Sequence, residues 1–440
     1  MHTPQDHSLP IADEALPDTW ELEPQPVSLF LLWPGEQPEQ VDVVGLLAAG
    51  VGEEPSGISA LPADSEVRWG CVCEFSRLNQ PVLLWCEAAK PVSSEDVPED
   101  RAKECRWVIG VQTALDFEDP IADFASLIHL LAKAFPECPA LFDADVGLWH
   151  SRGALDRFAS HAFAVPANEL LWTIHVVSNA LKQTAQSAGE HSAHAWIHTH
   201  GLARCGLPDL ELLGVPEELL NVAAQFLNLL VELVMEMGLP DPGEIVSVGE
   251  GIEIAFVPVH TAVRMLEEGA PGGKNDRGGP ADAAHMGTRA VVCDPKAIRA
   301  GNPCPVDALR KIAEGSTTLM LGDRATLRRA RLASHHWDDF VQAWNAWMRE
   351  SGSAGQRADA EFHVKVGVTA EKHGAAGAMR EHLWIRVVEI DAGRIRGELL
   401  VQSMQVQAFR KGDVRWFGRE DVSDWRITTR GRSCAPGQML

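Results

Sequence analysis

Alternation and helical spacing of apolar positions divide the chain into segments. Val27-Ser-Leu-Phe-Leu-Leu-Trp33 reads as a strand stopped by Pro34-Gly35. Further strands are predicted over residues 67–75, 81–87 and 107–112, and their continuous apolar runs suggest burial on both faces. Asp119-Pro120 supplies a cap and a first-turn proline for a helix. In it Ile121, Phe124, Leu127, Ile128, Leu131 and Ala132 repeat at helical spacing until Pro136. A helix over 151–162 and a strand over 170–177 follow. Residues 216–237 carry the widest apolar stripe, which includes Ala223, Phe226, Leu227, Leu230, Val231 and Val234, with Gly238 and Pro240 closing it. Asn221, Gln225, Asn228, Glu232 and Glu236 give that helix a polar side, the mark of a core helix rather than a membrane span. Residues 251–259 alternate as a strand, and 305–314 and 323–350 read as helices. Trp337, Phe340, Trp344 and Trp347 form an aromatic stripe of the kind that packs on a sheet or a partner.

Past this helix Ser351-Gly-Ser-Ala-Gly355 has linker composition, and strands return at 362–368, 382–390, 395–401 and 414–417. The fold class expected is α+β: a mixed sheet-and-helix domain followed by a small β-rich one. The boundaries are an acidic, Pro-containing leader over 1–26 and a main domain over 27–350 with a possible break near 165. A linker over 351–360, the β-rich domain over 361–430 and a loose tail over 431–440 complete the chain.

Charge narrows the partners. A net charge of −24 and a pI near 5.1 argue against nucleic acid and against anionic membrane surfaces, and favour a basic protein partner if there is one. The leader lacks the basic start and apolar core of a signal peptide, and no unbroken apolar run is long enough to span a bilayer. The expected location is the cytoplasm. Nine scattered cysteines then read as reduced thiols, and Cys71-Val-Cys73 lacks the spacing of a redox or zinc-ribbon motif.

Ionisable side chains and glycines crowd together over residues 196–214. On a strand Trp196, His198 and His200 share one face, with Ile197 and Thr199 on the other. Two imidazoles so spaced can reach one ion, and Asp209 and Glu211 can complete its shell. The simpler reading is structural: Trp196 and the histidines cover a partly exposed sheet face, while Arg204, Asp209 and Glu211 fix a tight loop. The Gly/Pro-rich loop 269–280 is not a phosphate loop, because Glu268 stands where that motif needs glycine and Asn275 follows Lys274.

Two segments resemble known families. Phe362-His-Val-Lys365, Glu381-His-Leu-Trp384, Gly397-Glu-Leu399, Lys411-Gly-Asp413 and Asp421-Val-Ser-Asp-Trp425 resemble the bacterial YegJ-like domain of unknown function. Its characteristic positions here are His382, Trp384, Asp424 and Trp425. The middle of the chain, through His200-Gly-Leu202 and Gly206-Leu-Pro-Asp-Leu-Glu211, is similar to uncharacterised bacterial domains loosely related to suppressor-of-fused-like proteins. That similarity implies an interaction or immunity-type module. Neither resemblance implies an activity, a cofactor or a catalytic residue, and no nucleophile elbow or dinucleotide fingerprint occurs. The leading expectation is therefore a non-enzymatic binding protein. The alternative is a metal-dependent hydrolase with His198 and His200 as ligands and Asp209 or Glu211 as ligand or base.

Overall fold

The computed structural model describes residues 16–62, 66–90, 100–161, 170–178, 194–277, 287–299, 301–314, 319–320, 322–351, 360–369, 380–391, 393–403, 406, 408–429 and 432–437. It is an α+β protein of two compact units, one of residues 1–159 with 167–322 and one of residues 160–166 with 323–440.

The first unit holds two sheets. One comprises β1 (Val27–Trp33), β2 (Gly57–Ala60), β3 (Val67–Glu74), β4 (Val82–Ala88), β5 (Trp107–Thr113), β6 (Ala140–Asp143) and β7 (Leu148–Ser151), in the antiparallel order β2-β3-β4-β5-β1-β6-β7. The apolar runs of these strands suggested burial on both faces. That holds for β5, where Val108, Ile109, Gly110 and Val111 are buried in succession, but not for β4, where Val82, Leu84 and Cys86 are buried in alternation with half-buried residues between them. Antiparallel strands need only one covered face, and here the apolar residues on the other face include aromatic rings that cover one another: Phe30 meets Trp85 edge-on with ring centroids 5.5 Å apart. The helix Pro120–Ala134 starts where its cap was expected, with Asp119 Oδ1 accepting from the Ala122 amide at 3.2 Å, and it buries Phe124 and Ile128.

The second sheet comprises β8 (Thr173–Ser178), β9 (His194–His200), β10 (Asp209–Pro216), β11 (Ile245–Gly249), β12 (Ile252–Pro258) and β13 (Arg289–Cys293), in the order β11-β12-β13-β10-β9-β8. Only β10 and β13 run parallel. β13 is buried throughout because both faces of the sheet are covered. The helix Leu220–Met237 lies along β9 and β10 and buries Ala223, Phe226, Leu227, Leu230, Val231 and Val234. With its preceding turn it is long and apolar enough to cross a membrane, as core helices can also be. Trp172, immediately before β8, fastens the sheet to this helix by an indole bond of 2.8 Å to Asn228 Oδ1.

The leader was expected to be loose. Its residues 1–15 lie outside the described set, but the rest is anchored to the first unit. The Trp20 indole donates to the Pro240 carbonyl at 2.8 Å, and Thr288 donates to the Glu21 carbonyl at 2.8 Å.

The second unit is an antiparallel sheet of β14 (Ala360–Thr369), β15 (Arg380–Asp391), β16 (Arg394–Leu399), β17 (Val414–Gly418), β18 (Val422–Thr429) and β19 (Arg432–Cys434), ordered β17-β16-β15-β14-β18-β19. The stretch 323–350, read from sequence as one helix, forms two, Asp323–His335 and Trp337–Ser351, and both belong to this unit, so the boundary falls near residue 323. The aromatic stripe explains why: Trp337, Phe340 and Trp344 pack into the core formed by Phe362, Ile385 and Trp425. β19 occupies part of the expected loose tail, with Cys434 paired to Ile427. Most of the linker, residues 352–359, lies outside the described set.

Candidate metal centre

β9 is the strand around which the site forms. Its residues alternate as expected, so Trp196, His198 and His200 share a face; they are buried, however, at 2%, 1% and 4% exposure. The antiparallel register with β8 sets His175 directly opposite His198, and Thr173 directly opposite His200. The result is a four-cornered patch with imidazoles at three corners and a hydroxyl at the fourth. His198 Nε2 and His200 Nε2 are 3.1 Å apart, and ligand atoms of His175, His198 and His200 all lie within 4.8 Å of one another. His175 is exposed, so the cluster opens toward solvent on the β8 side.

Metal chemistry gives these distances meaning. Two imidazole nitrogens on a tetrahedral zinc, each about 2.0–2.1 Å from it, lie roughly 3.3 Å apart. The His198–His200 pair is already near that separation, and a ligand atom of His175 lies within 4.8 Å of both. Three neutral nitrogen donors with one open position suit a borderline divalent ion: Zn²⁺, Co²⁺, Ni²⁺ or Cu²⁺.

His175 was missed from sequence. The strand carrying it was expected, but its pairing partner lies across residues 179–193, so the cross-strand register could not be read. The signal was nonetheless present, since the two consecutive strands both carry histidine, one at His175 and two at the alternate positions His198 and His200.

The two carboxylates expected to complete the shell have other partners. Glu211 is fully buried and accepts from Trp196 Nε1 at 3.0 Å, from Arg289 at 2.6 Å and from both terminal nitrogens of Arg277. Arg277 also lies over the Trp196 ring, 4.7 Å from its centroid. Trp196 in turn stacks on His198 with 3.9 Å between centroids and 26° between planes. Glu211 thus orients the imidazole through Trp196 rather than by offering it an oxygen. The loop carrying Arg277 approaches this closely because Gly272 adopts φ +75°, and an added Cβ there would fall 2.7 Å from Trp196 Cγ.

Asp209 accepts from Thr199 Oγ1 at 2.9 Å and from the Leu202 amide at 3.2 Å, which shapes the turn after β9. Burial pushes its carboxyl up to about 6, against the pull of Arg289. The folded protein therefore keeps this proton up to about pH 6, while the unfolded chain releases it near the ordinary aspartate value of 3.8. Asp209 favours the folded state at low pH, and that contribution is lost as pH rises through this window. Asp209→Asn should remove the loss, so that the stability of the variant relative to the natural protein grows by about 2 kcal/mol between pH 4 and pH 7. Urea melts at the two pH values measure it, and equal differences at both would refute it.

Arg204 does more than fix a local loop. It is 1% exposed, reaches back to donate to the Leu171 carbonyl, and places one terminal nitrogen 3.0 and 2.9 Å from the two oxygens of the fully buried Asp143 at the end of β6. Its guanidinium lies over Phe124, 4.2 Å from the ring centroid. The segment leading into β8 and the turn leaving β9 are thereby fastened to the first sheet.

In the second unit, Trp425 is a core residue whose ring lies 5.3 Å from that of Phe340 and whose indole donates to the Ala333 carbonyl at 3.3 Å. Asp424 Oδ1 accepts from the Trp425 amide at 2.8 Å, and burial raises its carboxyl above the usual range. Trp384 is half-buried with Lys365 and Arg426 over its ring at 5.9 and 5.5 Å, and His382 Nδ1 meets Ser423 Oγ at 2.7 Å. Trp384 and Asp424 flank Lys365 across the ladder, one on each side, while Trp425 belongs to the core.

The fold and site define an α+β protein with a solvent-open histidine cluster on a mixed sheet. Two family models match the chain: "Protein of unknown function (DUF4026) C-terminal" over residues 182–293, and "Uncharacterized protein conserved in bacteria (DUF2314)" over residues 333–435. The chain thus has the makeup of a bacterial protein built from domains of unknown function. The first match includes β9, β10 and β13 and hence His198, His200 and Glu211; the second covers most of the C-terminal unit. No curated protein and no solved structure matches the chain.

Proposed function

We propose that the first unit is a metal-binding module in which His175, His198 and His200 hold one divalent ion of the zinc class, with one coordination position open to solvent. The observation that carries this reading is the meeting of three imidazoles from two strands, two of them buried, at nearly the spacing of ligands on one ion. An open position on such an ion is where water or a substrate oxygen binds, so the reaction class that fits is metal-assisted hydrolysis. Asp209 and Glu211 enter as supports of the surrounding structure. Elemental analysis of untagged protein, reconstituted with Zn²⁺ and dialysed, should find one equivalent per chain, and the His198→Ala/His200→Ala variant should retain less than a tenth of it. Equal metal in both proteins would sink the reading.

A second reading, a docking module for a basic protein partner, is supported by how charge is distributed. Residues 1–322 carry a net −28 and residues 323–440 a net +4. An acidic first unit attracts a cationic partner over several ångströms and speeds its encounter. The similarity to suppressor-of-fused-like, immunity-type domains points the same way.

A further inference from the structure

The open coordination position has a neighbour of its own. Thr173 is the fourth corner of the patch: it pairs with His200 across the β8–β9 ladder and lies two residues before His175, so it faces the same side as all three imidazoles. Side chains directly opposite in an antiparallel pair have Cβ atoms about 5 Å apart, which brings the hydroxyl within reach of anything bound between the rings. Thr173 Oγ1 is buried, and among the described residues it has no hydrogen-bond partner. A buried hydroxyl left in that state is destabilising, and a ligand in the centre would relieve it.

The geometry points to Thr173 as the positioning residue for the fourth ligand of the metal, donating its hydroxyl hydrogen to a metal-bound hydroxide or small anion. This rests on the three-histidine reading and adds a preference to it. The Thr173 hydroxyl can still donate when its lone pairs are unused, so it favours a ligating atom that keeps a free lone pair and carries negative charge. Neutral amine ligands, whose lone pair is spent on the metal, gain nothing from it. The centre should therefore prefer anions over amines beyond what the metal alone dictates. β-branched Thr suits a strand and has a stiff χ1, which keeps the hydroxyl in place without a further bond.

The test uses the full chain loaded with Co²⁺, whose visible spectrum reports both metal occupancy and the fourth ligand. Co²⁺ is titrated into the natural protein, Thr173→Val and Thr173→Ser, and azide is then titrated into each loaded protein. Co²⁺ affinity should agree within about threefold among the three. Azide affinity should fall about tenfold in Thr173→Val and return in Thr173→Ser, while imidazole, a ligand without a spare lone pair at its bound nitrogen, should bind all three alike. An unchanged azide affinity in Thr173→Val overturns the role of the hydroxyl and leaves the histidine centre standing. A Co²⁺ affinity lost in Thr173→Val and restored in Thr173→Ser also overturns it, because the hydroxyl would then be a ligand. A natural protein that takes up no Co²⁺ removes the centre itself, and the role of Thr173 with it.

Discussion

Glu211→Ala should destabilise the first unit by about 3–5 kcal/mol, the loss expected when one partner of a buried ion pair is removed and the other stays charged. Two guanidiniums depend on this carboxylate. Arg289 is the more exposed to harm by its loss, since its side chain is 2% exposed and its other acidic neighbour, Asp209, stands 4.0 Å away. Trp196 loses its indole acceptor at the same time, and with it the stack that orients His198. Glu211→Gln keeps an oxygen for Trp196 and should cost less than the alanine variant. Urea melts followed by circular dichroism measure both effects. If Glu211→Ala melts like the natural protein, the buried ion cluster is not what holds this face together. In metal-free protein the loss should be undiminished, because the role assigned to Glu211 is structural.

Arg204→Ala carries a comparable expected loss, about 3–5 kcal/mol, for a different set of contacts. Asp143 has no exposed surface and would lose its guanidinium partner. The Leu171 carbonyl would lose the donor that fixes the approach to β8. Arg204→Lys should recover little, since an ammonium cannot span the Asp143 carboxylate and the Leu171 carbonyl as the fork does. The informative comparison is Arg204→Met with Asp143→Leu in one chain. Replacing both charges by apolar groups of similar size should restore most of the stability that either single change loses. A double variant no better than the single ones would mean that the charge pair as such contributes net stability.

The sequence showed some of this directly. The stripe from Ala223 to Val234 settled a core helix, and alternation along β9 put Trp196, His198 and His200 on one face. Those are local periodicities, and local periodicity survives in the folded chain. What could not be read were pairings between distant positions. Glu211 looked like a metal ligand because Arg277 and Arg289 are 66 and 78 residues further along. Arg204 looked local because Asp143 lies 61 residues back. His175 went unnoticed because its value depends on which residue of β9 it faces. The unit boundary was placed at the glycine-serine linker, a signal of composition. In the structure it is set by what Trp337 and Trp344 pack on.

Among the described residues β8 pairs with one strand, β9, and His175 rides on that outer strand. Edge strands with few buried contacts open by local unfolding more readily than central ones. Capture of an ion between β8 and β9 and closure of β8 are then a single equilibrium. The apparent affinity is the intrinsic affinity scaled by the fraction of molecules in which the strand is shut. A substitution such as Val176→Gly, which touches no ligand, would weaken binding simply by lowering that fraction. Conversely, a bound ion would slow hydrogen exchange along β8 ahead of any other strand.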